Sequence, residues 1–145
     1  MEVVGLDKGS DFIKQLPKPE RMLGVRSRYH YDRIGKTLIA SGTLKRIHLM
    51  ALELLAVEYE IYEWAIKEMN KVNKIEMGSG YVQTFKTGAR QISVEMGVKN
   101  DAFKKIMQLI KQFGLDPKSE KELVGAIDPN QGDLWNGFNK LKSSM

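Results

Sequence analysis

Apolar side chains recur every three or four positions along much of this chain, and the stretches where they do so predict helices. The longest runs from about Leu44 to Lys74. Within it Ile47, Ala51, Leu54, Ile61 and Ala65 form one stripe, and Leu55, Tyr59, Tyr62, Ile66 and Met69 form a second. Together the stripes cover more than the roughly 100° that a surface helix buries. A helix of about 30 residues is roughly 45 Å long, more than a chain of this size wraps completely. The surplus face is expected to meet other copies of the chain, through Leu55, Tyr59, Tyr62 and Ile66, or to be covered by the chain's own flanking helices. Periodicity does not separate the two.

Shorter elements flank this helix. Tyr31, Ile34, Leu38 and Ile39 recur at helical spacing after Ser27, which is placed to cap the start of a first helix. Gly42 is placed to end it in a left-handed conformation, and Thr43 to cap the long helix almost at once. Upstream, residues 1–19 show no period and close on Pro17-Lys18-Pro19, which favours extended backbone, so they read as a mobile or docked arm. Met77-Gly78-Ser79-Gly80-Tyr81 is a turn signal, and Tyr81 to Phe85 is a short β-prone run for which Ile75-Glu76-Met77 is the nearest pairing partner. A third helix begins at about Val94 or Asp101 and runs to Phe113, with Ala102, Phe103, Ile106, Met107, Ile110 and Phe113 on one face. Gly114-Leu115 closes it, and Asp116 and Pro117 open a short fourth helix to Leu123. The tail beyond is loose apart from Leu134-Trp135-Asn136-Gly137-Phe138. The expectation is a mainly α fold in three parts: a basic arm (1–26), a helical core and oligomerisation domain (27–124), and a tail with a short aromatic segment (125–145). A long central helix packs with shorter ones, with a small β-hairpin between them.

Charge sharpens this picture. Residues 1–50 carry ten Lys/Arg against five Asp/Glu, a surplus equal to the whole net charge of +5. Lys14, Lys18, Arg21, Arg26, Arg28, Arg33 and Lys36 place cations every few residues through the arm and first helix, and Lys45 and Arg46 add two at the turn. Such residues neutralise phosphates and release counterions. A solvated arm that keeps the protein in solution is the plain alternative. Tyr29 and Tyr31 fall within this surface, though the spacing assigns Tyr31 to the core. The two helices joined at Gly42-Thr43 loosely resemble a helix-turn-helix.

Other chemistries find little support. There is no cysteine, which excludes disulfides, thiol nucleophiles and thiolate metal ligands, and His30 and His48 are the only histidines. No metal or cofactor is expected. Glu53, Glu58, Glu60, Glu63 and Glu68 lie among lysines and are expected mostly as solvated partners of Lys67 and Lys71. His48 is expected to be packed or hydrogen-bonded. Ser10, Ser27, Ser79 and Ser119 lack a nucleophile elbow. The glycines at 78 and 80 are not followed by a Walker lysine, so a turn is preferred to a phosphate loop. No apolar run spans a bilayer, and the start of the chain lacks the order of a secretory signal. A non-enzymatic protein of a reducing cytoplasm is expected.

Taken in order, the segments from about Tyr31 to Leu123 are similar to the small terminase subunits of tailed bacteriophages. Ile39-Ala40-Ser41-Gly42-Thr43-Leu44 resembles that family's turn into its long helix, and Leu52, Leu55, Tyr59 and Trp64 match its apolar and aromatic spacing. A glycine-containing connector is represented by Gly80-Tyr81-Val82-Gln83 and Gly88. The sharpest match, Phe113-Gly114-Leu115-Asp116-Pro117-Lys118-Ser119 followed by Leu123, looks like the family's glycine-leucine-x-proline-x-serine stretch. The chain departs from the pattern at His48, where an aspartate is common, and at Val94-Glu95-Met96, where a proline is common. It departs again at Glu120, where an arginine is usual, so no phosphate contact is carried over to that position. Trp135 and Phe138 resemble the aromatic C-terminal segments of some members.

The resemblance implies a ring of several copies that engages double-stranded phage DNA at the packaging-initiation region. The ring recruits the large terminase subunit, which carries ATPase and nuclease. It also implies action in the cytoplasm of an infected bacterium and absence from the mature virion. On this reading the nine basic residues named above form the DNA surface, and Trp135 and Phe138 contact the large subunit or a neighbouring protomer. Two other classes fit the same features: a dimeric DNA-binding transcriptional regulator, and a ring-forming head–tail connector.

Overall fold

In a computed structural model of the chain, residues 11–115 are described together with Lys118, Glu120 and Lys121. Three helices and one small hairpin follow in order: α1 (Val25–Ala40), α2 (Leu49–Ile75), β1 (Val82–Thr84), β2 (Arg90–Ile92) and α3 (Val94–Lys111). The two strands form an antiparallel pair. α2 is the spine, and α1 and α3 both pack along it. The core between them is built from Tyr31, Ile34 and Leu38 of α1, Leu52, Leu55, Ala56, Tyr59 and Tyr62 of α2, and Ala102, Ile106 and Ile110 of α3, closed by Phe113. Each fully buried Ile or Leu among them contributes about 1.5–3 kcal/mol of apolar transfer.

The corner between α1 and α2 differs from the expectation in detail. Gly42 does end α1, at φ +68°, where a side chain would be strained. Thr43, however, caps α1 instead of α2: its backbone N–H and its hydroxyl both donate to the Leu38 carbonyl. α2 begins later, after a single 3-10 turn at Arg46–His48. The delay arises because Leu44 and Lys45 are held extended by the arm: Ile13 N–H donates to the Leu44 carbonyl at 2.8 Å, and Phe12 bridges to Lys45. Ser27 is likewise not a cap. α1 starts two residues earlier, after Gly24, and Ser27 is buried in its first turn.

Residues 11–24 are docked rather than loose. Leu16 lies on Gly35, where a methyl group would sit 2.6 Å from one of its methyl carbons. Tyr31 takes its expected place in the core and donates its hydroxyl to the Pro17 carbonyl at 2.8 Å. The hairpin is placed differently from the expectation. Val82–Thr84 pairs with Arg90–Ile92, not with 75–77, because Glu76 to Gly78 turn the chain out of α2. The fourth helix proposed over 117–123 falls largely outside the described residues, as do Ser10, Trp135 and Phe138.

The second apolar stripe of α2 is consumed within one chain. Leu55, Tyr59 and Tyr62 are buried, and Ile66 is half-buried against the same core. Tyr59 meets the His30 ring of α1 edge-on at 4.5 Å, and Tyr62 lies 6.4 Å from Phe103 of α3. α1 and α3 straddle this side of α2, so these four residues do not form a surface. What remains uncovered is another line: Ile47, Met50, Leu54, Val57, Ile61 and Trp64, with Ile47 79%, Met50 59% and Trp64 50% exposed.

Candidate nucleic-acid interface

The cations predicted for DNA contact form two groups. Because the arm pairs with residues 44–46, Lys14 is brought beside Lys45 and Arg46 at the α1–α2 corner, where the Arg46 N–H donates to the Asp11 carbonyl at 3.1 Å. Lys36 stands one turn before the end of α1, on its outer face with Arg33 and Tyr29. Lys18, Arg21, Arg26 and Arg28 lie toward the start of α1. Among the described residues, Lys14, Lys18, Arg21, Lys36 and Arg46 are exposed and form no ion pair.

The others are engaged. Arg26 makes a two-pronged contact with Glu63, Nη2 to Oε1 at 2.7 Å and Nε to Oε2 at 3.2 Å, and its guanidinium lies 4.6 Å over the Tyr29 ring. Arg28 pairs with Asp32 at 3.3 Å one turn along. Arg33 donates to the Tyr29 hydroxyl at 3.3 Å. Lys45 Nζ sits 5.3 Å over the Phe12 ring. Arg26 is therefore a structural residue first, since a bidentate carboxylate holds its fork. Arg33 and Lys45 keep their charge, because an aromatic face neutralises nothing.

Three carboxylates on α2 position this surface. Glu53 is buried and accepts the Glu20 N–H at 2.6 Å, with the Arg21 N–H at 3.4 Å. Glu60 accepts the Ser27 hydroxyl. Glu63 takes Arg26, and its Oε2 also lies 3.0 Å from His30 Nε2. These three do not belong to the solvated lysine partnerships expected of them. Glu68 does pair with Lys71, at 2.9 Å, while Glu58 reaches Lys105 of α3 at 3.8 Å. Burial pushes the Glu63 carboxyl up, but hydrogen bonds and charge from Arg26 and His30 outweigh it and hold the group below its ordinary 4.5. The Glu63 hydrogen bond in turn raises Arg26. Burial drives His30 below its ordinary 6.5 more strongly than Glu63 raises it. At neutral pH a neutral imidazole therefore faces the carboxylate. His48 is packed as expected: it accepts the Lys45 N–H through Nδ1 at 3.3 Å and meets the Phe113 ring edge-on.

At the corner the exposed Arg46 is able to hydrogen-bond a base edge, whereas Ile47, Met50 and Leu54, exposed just after it, are not. Among the described residues no group of three or more His, Asp or Glu is placed to hold a metal ion, and no helix is long and apolar enough to cross a membrane.

Residues 27–129 match the family model of the phage terminase small subunit, well over half of the chain and nearly the same block that carries the resemblance in sequence. The chain belongs to that family. No curated protein and no solved structure matches it. Small terminase subunits are in general non-catalytic, the ATPase residing in the large subunit. Membership also removes the ground for the regulator and connector readings, which rested on features this family shares. The match begins at Ser27, so the arm that carries Lys14, Lys18 and Arg21 lies before it.

Sequence reasoning finds the outer line of α2 only in part: its first stripe holds Ile47, Leu54 and Ile61 but not Met50, Val57 or Trp64, and it assigns contact between copies to the other stripe. Ile47, Met50, Leu54, Val57, Ile61 and Trp64 follow each other at steps of three, four, three, four and three, the spacing of a helix–helix seam. That signal is in the sequence. It competes there with the aromatic stripe, and only the placement of α1 and α3 shows which of the two the chain leaves open.

Proposed function

We propose that this terminase small subunit is the DNA-recognition and regulatory component of a genome-packaging motor, acting in the cytoplasm of an infected bacterium. It binds double-stranded viral DNA through the basic arm, α1 and the α1–α2 corner. It presents that DNA to the large ATPase and nuclease subunit, with the aromatic tail at Trp135 and Phe138 as the contact for that partner or for a neighbouring protomer. Copies assemble into a ring through the open line of α2. The observation that carries DNA binding is the set of unpaired cations: Lys14, Lys18, Arg21, Lys36 and Arg46 are exposed on a docked framework with no acidic partner among the described residues.

Assembly is supported by area as well as by spacing. The six open side chains expose on the order of 600 Å² per copy, so pairing two such lines removes about 1,200 Å², the lower edge of stable interfaces. A monomer rarely leaves so long an apolar line uncovered.

Binding of a labelled 30-bp duplex, followed by anisotropy across a salt series, tests the DNA surface. Lys45→Glu with Arg46→Glu is expected to weaken binding and to lower the slope of log affinity against log salt by about 2, near 0.9 for each phosphate that is no longer neutralised. Unchanged affinity and slope would remove the corner from the DNA surface.

A further inference from the structure

The basic surface described above lies before α2, while the hairpin lies after it. From Met77 to Val94 the chain contains no acidic residue, and it carries Lys86 and Arg90. Every residue from Gln83 to Ile92 is exposed. Neither cation has an ion-pair partner among the described residues.

The hairpin's base is nevertheless fixed. Asn73 of α2 accepts the Gly80 N–H at 2.7 Å, the Gly80 carbonyl accepts the Ser93 hydroxyl at 2.6 Å, and the Ser93 hydroxyl oxygen accepts the Met96 N–H to cap α3. Two helices therefore hold a basic ribbon out in solvent. Its register sets Gln83 opposite Gln91, with Thr84 opposite Arg90 on the other face. Strand alternation puts Tyr81 and Phe85 on the same side as Gln83, flanking the amide pair.

A two-stranded ribbon that packs on nothing is only marginally stable by itself, and a solvent-facing one needs a reason for its composition. Tyr81, Phe85 and Ile92 are exposed beside the paired amides, but the ribbon's charge is positive and uncompensated, which favours an anionic partner. Its dimensions suit DNA. Strands about 4.8 Å apart with their side chains fill a major groove about 12 Å wide. Glutamine amides hydrogen-bond adenine edges there, and Lys and Arg take the flanking phosphates or guanines. Distance agrees as well: the 27 residues of α2 span roughly 40 Å, close to the 34–36 Å of one duplex turn.

We propose that the hairpin is a second DNA contact, entering the major groove through Gln83 and Gln91 and anchored by Lys86 and Arg90, about one helical turn from the corner contact of the same chain. This rests on the DNA-binding reading above. The test is anisotropy with full-length protein and a panel of 30-bp duplexes of different sequence. Lys86→Ala with Arg90→Ala is expected to lower the salt slope by about 2 and to weaken binding roughly tenfold at low salt. Gln83→Ala with Gln91→Ala leaves the slope in place and narrows the spread of affinities across the panel. Gln83→Lys with Gln91→Lys raises the slope, a gain that misfolding does not mimic. An unchanged slope in both charge-altering variants overturns the hairpin contact. If Lys45→Glu with Arg46→Glu still lowers the slope in that case, the reading of the basic corner survives alone. Wild-type protein that binds no duplex overturns both, and an undiminished spread in the glutamine variant overturns entry into the groove.

Discussion

His30 is fully buried, with Glu63 on one side and the Tyr59 ring on another, and its Nδ1 finds no hydrogen-bond partner among the described residues. Burial makes the imidazole harder to protonate in the folded chain than in the unfolded one, so its folded pKa lies below 6.5. The unfolded chain therefore takes up a proton as the pH falls through about 6.5 that the folded chain refuses. Stability is full above that value and declines below it. His48 acts in the same direction, lowered first by burial and then by Lys45. Glu63 is depressed, so its contribution is present above 4.5 and lost as the pH falls through its folded value. Melting followed from pH 7.5 to pH 5.5 should show a falling midpoint. His30→Gln should flatten that fall whatever it does to the midpoint itself, and an unaltered pH dependence would show that His30 is not the group responsible.

At the scale of elements, the most informative contact is that between α2 and the arm. Glu53 is buried and its Oε1 accepts two backbone N–H groups of the arm, which are left without a partner when that acceptor is removed. Glu53→Ala is expected to release the arm while the three helices stay folded, seen as faster proteolytic cutting between residues 14 and 24 with unchanged helical circular dichroism. Cutting at the wild-type rate would show that Leu16 on Gly35 and the pairing with residues 44–46 hold the arm without it.

This contact also marks where sequence reading stops. Helix periods place α1, α2 and α3, since each has one face of Ile, Leu and aromatic residues at three-and-four spacing. Gly42 is legible because its left-handed conformation is a local requirement. The partners of Glu53, Glu60 and Glu63 are not, because each lies about 30 or more residues away in the chain. The lysines close to them in sequence suggest the wrong pairing for the same reason. The strand partner of Val82–Thr84 is missed likewise: residues 75–77 are nearer in sequence, but 76–78 form the exit from α2. Among the nine predicted DNA residues, Arg26 differs from Lys36 only through a long-range carboxylate that no local pattern reveals.

At the scale of the whole molecule, two surfaces are separated along one spine. The cations gather on the arm, α1 and the corner, while the open apolar line runs down the side of α2 that α1 and α3 leave bare. On the function proposed above, a packaging subunit that holds both DNA and its own copies would use the two surfaces at once. On that proposal Leu54, Val57 and Ile61 at the centre of the line, which are exposed, and not Tyr59 and Tyr62, which are buried, are the residues that a neighbouring copy would cover. Substituting them should change assembly without changing the fold, since they support no core contact of the kind made by Leu55.

The most direct measurement is the solution mass of the full-length protein by light scattering across a concentration series, beside Leu54→Glu with Ile61→Glu. A stable assembly of many copies is expected for the native chain, and a monomer of unchanged helical content for the variant. A native chain that stays monomeric at every concentration, or a variant that assembles as the native chain does, would contradict assembly through the open line of α2.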